Sequence, residues 1–357
     1  MNAQRLRRGL ALLLGAVVVA SCSTTATPST TATPSTAAAP GPSASATPLT
    51  QTKMSISYTG TSVYSATLLI AQEKGFWQKR GVEVEMTQIE GDSNGLAALM
   101  SGQTVLSIGG GGGSIQAQLA DTPVVMIGAQ ADVVTDILVV TPDIKTAADL
   151  KGTRMGVNQV GTSTEFNMRL VLKALGIDAD KDGVTFIAVG SEAPRLAALK
   201  AGTIKAGFQN LGTEKSVEAQ GLKVIARASD LKIAGVTAAF TVQRSWLAQN
   251  RDVAKAFLMG YMEATAFFKQ NKAETLPIAA RWSRLTDPVA VEGAWTAQSP
   301  ILPPKVPFVS DEGIRNNLGF IGLTNAAAKS ADPKKFYDNS LLDEIVKTGF
   351  PDTLYKK

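Results

Sequence analysis

The sequence predicts an α/β protein built as two lobes of similar plan, and three observations predict it. Leu96-Ala97-Ala98-Leu99 followed by Gly102 returns about 100 residues later as Leu196-Ala197-Ala198-Leu199 followed by Gly202. Gly60-Thr61-Ser62 after the apolar stretch Met54–Tyr58 returns as Gly161-Thr162-Ser163 after Arg154–Asn158. Between these markers, short β-branched stretches alternate with helical ones, the pattern of mostly parallel sheets flanked by helices. Two copies are too few for a solenoid and indicate paired lobes.

In the first half, Met54–Tyr58 reads as a strand, and Ala66–Lys74 as a helix stopped by Gly75. Val82–Met86 alternates as a strand does. The Leu96–Leu99 helix leads through Gly102 into the strand Val105–Ile108. Gly109–Gly113 reads as a loop, Ser114 opens a helix to Ala120, and Val124–Ala129 is a buried strand. Ile137–Thr141 carries the chain toward the second half. There, Thr162-x-x-Glu165 has capping-box spacing and opens a helix to Leu175 that Gly176 ends. Val184–Val189 is a strand, and Pro194 suits the first turn of the following helix. After about Gly235 a returning strand, Thr237–Val242, precedes a long helix, Asp252–Lys269, in which Phe257, Phe267 and Phe268 read as core. Further helical stretches surround Trp282, Trp295 and Tyr337. The expected division is a first lobe of 52–138 plus 236–357, a second lobe of 139–235, and two crossover strands as a hinge.

The N-terminus reads as an address. Arg5, Arg7 and Arg8 precede the apolar run Leu10–Val19, which is too short for the roughly 20 residues a spanning helix needs but fits a secretory leader. Val19-Ala20-Ser21-Cys22 resembles the bacterial lipobox, which implies cleavage of residues 1–21 and lipidation of Cys22. Residues 22–51 are rich in Ser, Thr, Ala and Pro, too poor in apolar bulk to offset their ordering entropy, and read as a disordered tether.

Composition narrows the chemistry. The 357 residues carry 35 basic and 30 acidic side chains, one cysteine and no histidine. Removing the three leader arginines leaves a near-neutral body, which is no electrostatic footprint for nucleic acid. Without histidine, Ser-His-Asp and Cys-His catalysis are disfavoured, and a leading metal ligand is missing. No cofactor, metal or disulfide is expected. The Gly109–Gly113 run lacks the Gly-Lys-Ser/Thr ending of a phosphate-binding loop.

Ligands of open α/β sheets bind beyond the carboxyl ends of the strands. The residues placed there are Tyr58, Thr59, Gly60, Thr61, Ser62, Tyr64, Gly110, Gly111, Ser114, Gly161, Thr162, Ser163, Ser191, Gln209 and Asn210. Glycines admit close backbone approach, helix N-termini offer free N–H donors, and Tyr58 and Tyr64 offer flat walls with a hydroxyl. Alternatives stand beside these roles. Thr162 and Ser163 also suit helix caps, Tyr58 also suits the core, and Arg195 suits either a ligand anion or a solvated salt bridge.

Leu69-Ile70-Ala71-Gln72-Glu73-Lys74-Gly75-Phe76-Trp77, then Gly81-Val82-Glu83-Val84-Glu85, and Ala148-Asp149-Leu150-Lys151-Gly152 before Arg154–Val157 resemble a known family. It is that of the extracytoplasmic solute-binding proteins of ABC importers, in the branch of sulfonate, taurine, nitrate and thiamine-precursor binders. The resemblance covers about Met54–Lys269. Val105 and Lys205 depart from it, standing where the family often carries an acidic residue. The resemblance implies a two-lobed, periplasmic-binding-protein type II-like fold that captures a small anionic or heteroaromatic solute by hinge closure. It implies delivery to a membrane permease with its ATPase, by a monomeric lipoprotein outside the cytoplasm. A ligand sensor for a membrane receptor, or an enzyme on the same fold, are the alternatives.

Overall fold

The structure, a computed structural model, describes residues 51–355. The leader, Cys22 and nearly all of the tether therefore lie outside the described residues. The chain begins with β1 (Thr52–Tyr58), α1 (Thr67–Glu73), β2 (Val82–Gln88), α2 (Asp92–Met100), β3 (Leu106–Gly109), α3 (Gly111–Leu119) and β4 (Val124–Val133). It then crosses to β5 (Ile137–Val140), β6 (Arg154–Val157), α4 (Ser163–Ala174), β7 (Thr185–Ala188), α5 (Glu192–Lys200), β8 (Ala206–Gln209), α6 (Glu214–Ala219) and β9 (Lys223–Arg227). It returns through β10 (Ala234–Gln243) and continues as α7 (Arg244–Gln249), α8 (Arg251–Gln270), α9 (Lys272–Ser283) and α10 (Pro288–Gln298). The last helices are α11 (Asp311–Ile321), α12 (Ala326–Lys329), α13 (Ser340–Lys347) and α14 (Phe350–Thr353).

Two five-stranded sheets result, ordered β2-β1-β3-β10-β4 and β7-β6-β8-β5-β9. In each, four strands run one way. The fifth, β10 or β5, is inserted antiparallel between two of them. The sheets are thus mixed, and each contains a strand that the chain lays down when it crosses over. The passages between sheets fall at residues 134–136 and 228–233. Register repeats as well: Ser57 stands opposite Ser107 in the first sheet, and Gly156 opposite Gly207 in the second.

The repeated Leu-Ala-Ala-Leu segments form α2 and α5, and each is followed by a left-handed glycine, Gly102 (φ 77°) and Gly202 (φ 69°). Only glycine enters that region freely, so both helices stop at the same place and turn into a strand. The glycine run departs from expectation. Gly111–Gly113 is the first turn of α3, not a loop. A Cβ at Gly111 would lie 2.6 Å from Val236 Cβ, and one at Gly113 3.0 Å from Asp92 Cβ, so packing fills the side-chain space and the helix forms despite glycine's low propensity.

The first sheet's core continues into the C-terminal helices. Trp77 is fully buried, stacks on Phe257 at 5.3 Å, and donates its indole N–H to the Phe257 carbonyl at 3.0 Å. Gly260 permits this, because a Cβ there would lie 2.3 Å from the Trp77 ring. Phe257 and Phe268 are buried, and Phe267 packs against that core. Met155, Leu172 and Phe208 anchor the second sheet's own core.

Candidate functional site

The C-terminal end of β1 delivers Tyr58, whose ring lies 4.7 Å from Trp282. Trp282 donates to Ser65 Oγ at 2.8 Å, which fixes the loop that follows the strand. Tyr58, Thr59, Gly60, Ser62 and Tyr64 line a cavity of about 60 Å³, closed from the other side by Gln130, Thr237 and Ala238 of β4 and β10. The polar groups of the crossover strands are already oriented. Gln130 donates to Thr67 Oγ1 (3.1 Å), and the Thr237 hydroxyl lies on the Ala131 and Val133 carbonyls. Among the described residues, no charged side chain lines this cavity. Burial raises the pKa of both tyrosines, with the Asp136 charge adding to the rise at Tyr64 and Arg284 opposing it at Tyr58. Both therefore stay neutral donors at physiological pH.

A second cavity of about 60 Å³ lies between the two halves, lined by Asp92 of α2 and Gly112 and Gly113 of α3 from the first and by Gly161, Thr162 and Phe166 at the start of α4 from the second, with Asn317 and Phe320 of α11. The N-termini of α2, α3 and α4 meet here. Their donors are partly satisfied within the protein: Asp92 Oδ1 accepts from Gly110 N–H and Glu165 Oε2 from Gly161 N–H, each at 2.8 Å. The expected capping box at Thr162 does not form. Its hydroxyl donates back to the Gln159 carbonyl (2.7 Å), and Glu165 reaches past the N-cap to Gly161 while pairing with Arg169 at 2.8 Å. Phe166 and Phe320 approach to 5.1 Å and join the two halves on this flank.

The other expected residues are placed differently. Ser114 is 3% exposed, and its hydroxyl is shared with Thr241 of β10 at 2.7 Å, inside the first sheet's packing. Gln209 is buried and donates to the Glu192 carbonyl. Asn210 and Ser191 act through backbone carbonyls, which accept from Thr213 and Arg195 N–H. Gly110 and Gly111 form the start of α3, and Ser163 is the first residue of α4. Thr61 lines neither cavity. Arg195 forms no solvated salt bridge. It is 2% exposed, and its partners are neutral: Phe208 O (2.7 Å), Gly190 O (2.9 Å) and Asn158 Oδ1 (2.5 Å).

Three residues that line neither cavity, and that sequence patterns did not single out, hold or flank the segments around them. Gln298 is 4% exposed, accepts from Tyr64 N–H at 3.0 Å and donates to the Leu211 carbonyl at 2.5 Å, bridging the first half to the loop after β8. Asp132 and Asp136 flank the first crossover. Burial raises each carboxyl to about 6. At Asp132, hydrogen bonds from Ser310 oppose the rise and Glu312 adds to it. At Asp136, Arg195 opposes it and Glu192 adds to it.

Two sheets of one strand order, joined by two crossovers and meeting at their strand ends, define an α/β protein of the periplasmic-binding-protein type II-like class. The chain belongs to the family described as NMT1/THI5 like, whose model matches residues 62–275, more than half of its length. A chain of Brucella abortus (strain 2308) described only as a binding protein is 23% identical over 228 residues, which is 64% of this chain and 69% of the relative. Among solved structures, the periplasmic aliphatic sulphonate binding protein SsuA from Escherichia coli is similar at a TM-score of 0.65 and 19% identity, covering 80% of this chain and 92% of its own. The periplasmic nitrate-binding protein NrtA from Synechocystis PCC 6803 is similar at 0.64 and 17%, covering 86% and 91%.

Proposed function

We propose that the protein is the solute-capturing subunit of an ABC-type importer, held outside the cytoplasm by a lipidated Cys22. It binds one small anionic or heteroaromatic molecule between two lobes, divided where the chain passes from sheet to sheet. The observation that carries this reading is the pair of cavities, one at the end of β1 and one lined by helix N-termini of both halves. Each holds about 60 Å³, room for a few water molecules, so a solute enters with the lobes parted and is enclosed as they meet. A ligand touching both lobes favours the closed state by its differential affinity, and a permease then reads that state.

Tyr58, backed by Trp282, and Tyr64 supply aromatic surface, while Gln130, Thr237 and Ser62 supply neutral hydrogen bonding. These contacts suit a flat or tetrahedral polar group of modest size. Mass spectrometry of material released by denaturing the purified protein tests the proposal. One unmodified small solute at near one per chain is expected. A chemically altered product after incubation would instead indicate catalysis, and the absence of any solute across growth conditions would remove the support for capture. The anchor is tested separately: metabolic labelling with a radioactive fatty acid marks the wild type and fails in Cys22→Ser.

A further inference from the structure

The two halves repeat in sequence and register, yet at one place they exchange large for small. In the first, Gly95 immediately precedes the Leu-Ala-Ala-Leu segment of α2. It lies over the paired strand residues Ser57 and Ser107, whose hydroxyls sit 3.7 and 2.8 Å from where its Cβ would be. In the second, the same helix position is Arg195 and the paired strand residues are Gly156 and Gly207. A Cβ at Gly156 would come within 3.2 Å of Arg195 Cγ, and one at Gly207 within 2.9 Å. Where the first half has serine on both strands and glycine on the helix, the second has glycine on both strands and arginine on the helix. Glycine weakens a strand, and a buried charge is costly unless compensated. The second half carries both penalties to hold a guanidinium.

That guanidinium sits at the cleft end of its sheet. Its acceptors are the side chain of Asn158, the exposed residue just past β6, the Gly190 carbonyl after β7, and Phe208 O in β8. They occupy Nε and Nη1. Among the described residues, Nη2 donates to nothing, and no carboxylate lies within the 4.0 Å of an ion pair. Arg195 itself lines neither cavity; Asn158 and Gly190, which its Nη1 holds, follow β6 and β7, so the guanidinium stands at the strand ends where the halves face each other.

We propose that Arg195 is the specificity-determining residue of the second lobe, a fixed cation that receives the anionic group of the solute, an oxyanion of the sulfonate, carboxylate or nitrate kind. This rests on the reading of the cleft as the capture site. Two variants separate charge from scaffolding. Arg195→Met removes the charge and keeps the length. Asn158→Asp leaves the arginine and its contacts but neutralises it in place. Full-length protein in detergent, freed of solute, is titrated calorimetrically with ethanesulfonate and acetate, their uncharged counterparts ethanesulfonamide and acetamide, and nitrate.

The wild type is expected to bind at least one anion and to prefer an acid over its amide. That preference falls about tenfold or more in both variants, while Arg195→Lys retains part of it. A purely structural arginine predicts the contrary for Asn158→Asp: unchanged anion preference with equal or higher melting temperature. That result overturns the proposal, and it does so even if Arg195→Met fails to fold. If no anion binds and the released native solute is neutral or cationic, Arg195 is not the reader although capture stands. If no solute is released and no anion binds, the capture reading fails first.

Discussion

Replacing Gln298 with alanine removes one side chain that ties three segments together. Its amide oxygen accepts from Tyr64 N–H, its nitrogen donates to the Leu211 carbonyl, and the side chain is 4% exposed. Each lost hydrogen bond contributes about 0.5–1.5 kcal/mol net, and a buried polar group left unpaired costs about 1–3 kcal/mol. With Tyr64 N–H only partly buried, the expected loss of folding stability is about 2–4 kcal/mol. The two bonds differ in role. The Tyr64 bond lies within the first half, whereas the Leu211 bond joins α10 to the second. Only the latter opposes lobe separation, and losing about 1 kcal/mol there shifts the closed-to-open ratio about fivefold. Urea denaturation at constant m-value reads the first quantity, and small-angle scattering reads the second as a larger radius of gyration without solute. A variant with the wild-type denaturation midpoint and the wild-type radius would refute the role given to this bridge.

Other perturbations test separate parts of the account. Gly260→Ala forces a methyl into the Trp77 ring; the expected loss is about 1–3 kcal/mol, read by thermal or chemical denaturation. Asp132 has a folded pKa raised to about 6 by burial. Its protonation therefore favours the folded state, and the associated stability fades as pH rises through that value. Asp132→Asn should match wild-type stability near pH 4 and exceed it by about 1 kcal/mol or more at pH 7.5, in denaturation series at both pH values. Asp136 is likewise raised to about 6 by burial, with Arg195 opposing and Glu192 adding to the rise, and its charge in turn raises the Tyr64 hydroxyl. Below pH 6 it becomes neutral and leaves Arg195 less compensated, so anion affinity should be higher at pH 5.5 than at 7.5 by calorimetry. Asp136→Asn should flatten that difference.

Much of the fold was legible because its signals are local. Gly102 and Gly202 end their helices through backbone conformation alone, and the alternation of Val82–Met86 marks a strand without reference to a partner. The antiparallel insertion of β5 and β10 was not legible, since it depends on where a crossover strand docks. The candidate site was legible only where a turn follows a strand directly, as at Tyr58–Tyr64 and Gly161–Thr162. Asn317 lines the second cavity, and Gln298 and Trp282 hold Tyr64 and Tyr58 beside the first, all from the last third of the chain; no local pattern marks a residue that meets its partner more than 80 positions away. Ser114 misled because hydroxyls after a glycine run suit a ligand, and only packing reveals Thr241 as the partner. Arg195 was visible as a residue but not as a buried cation. Gly156 and Gly207 become informative only when register sets them against Ser57 and Ser107.

The central claim is that a solute draws two lobes together, and an interlobe distance tests it most directly. Spin labels placed at Glu83 in the first half and Lys181 in the second, both exposed, in a Cys22→Ser background give a distance distribution by pulsed electron resonance. The account predicts a broad distribution in solute-free protein that narrows and shortens when the natively released solute is added back. An identical distribution at saturating solute would contradict it.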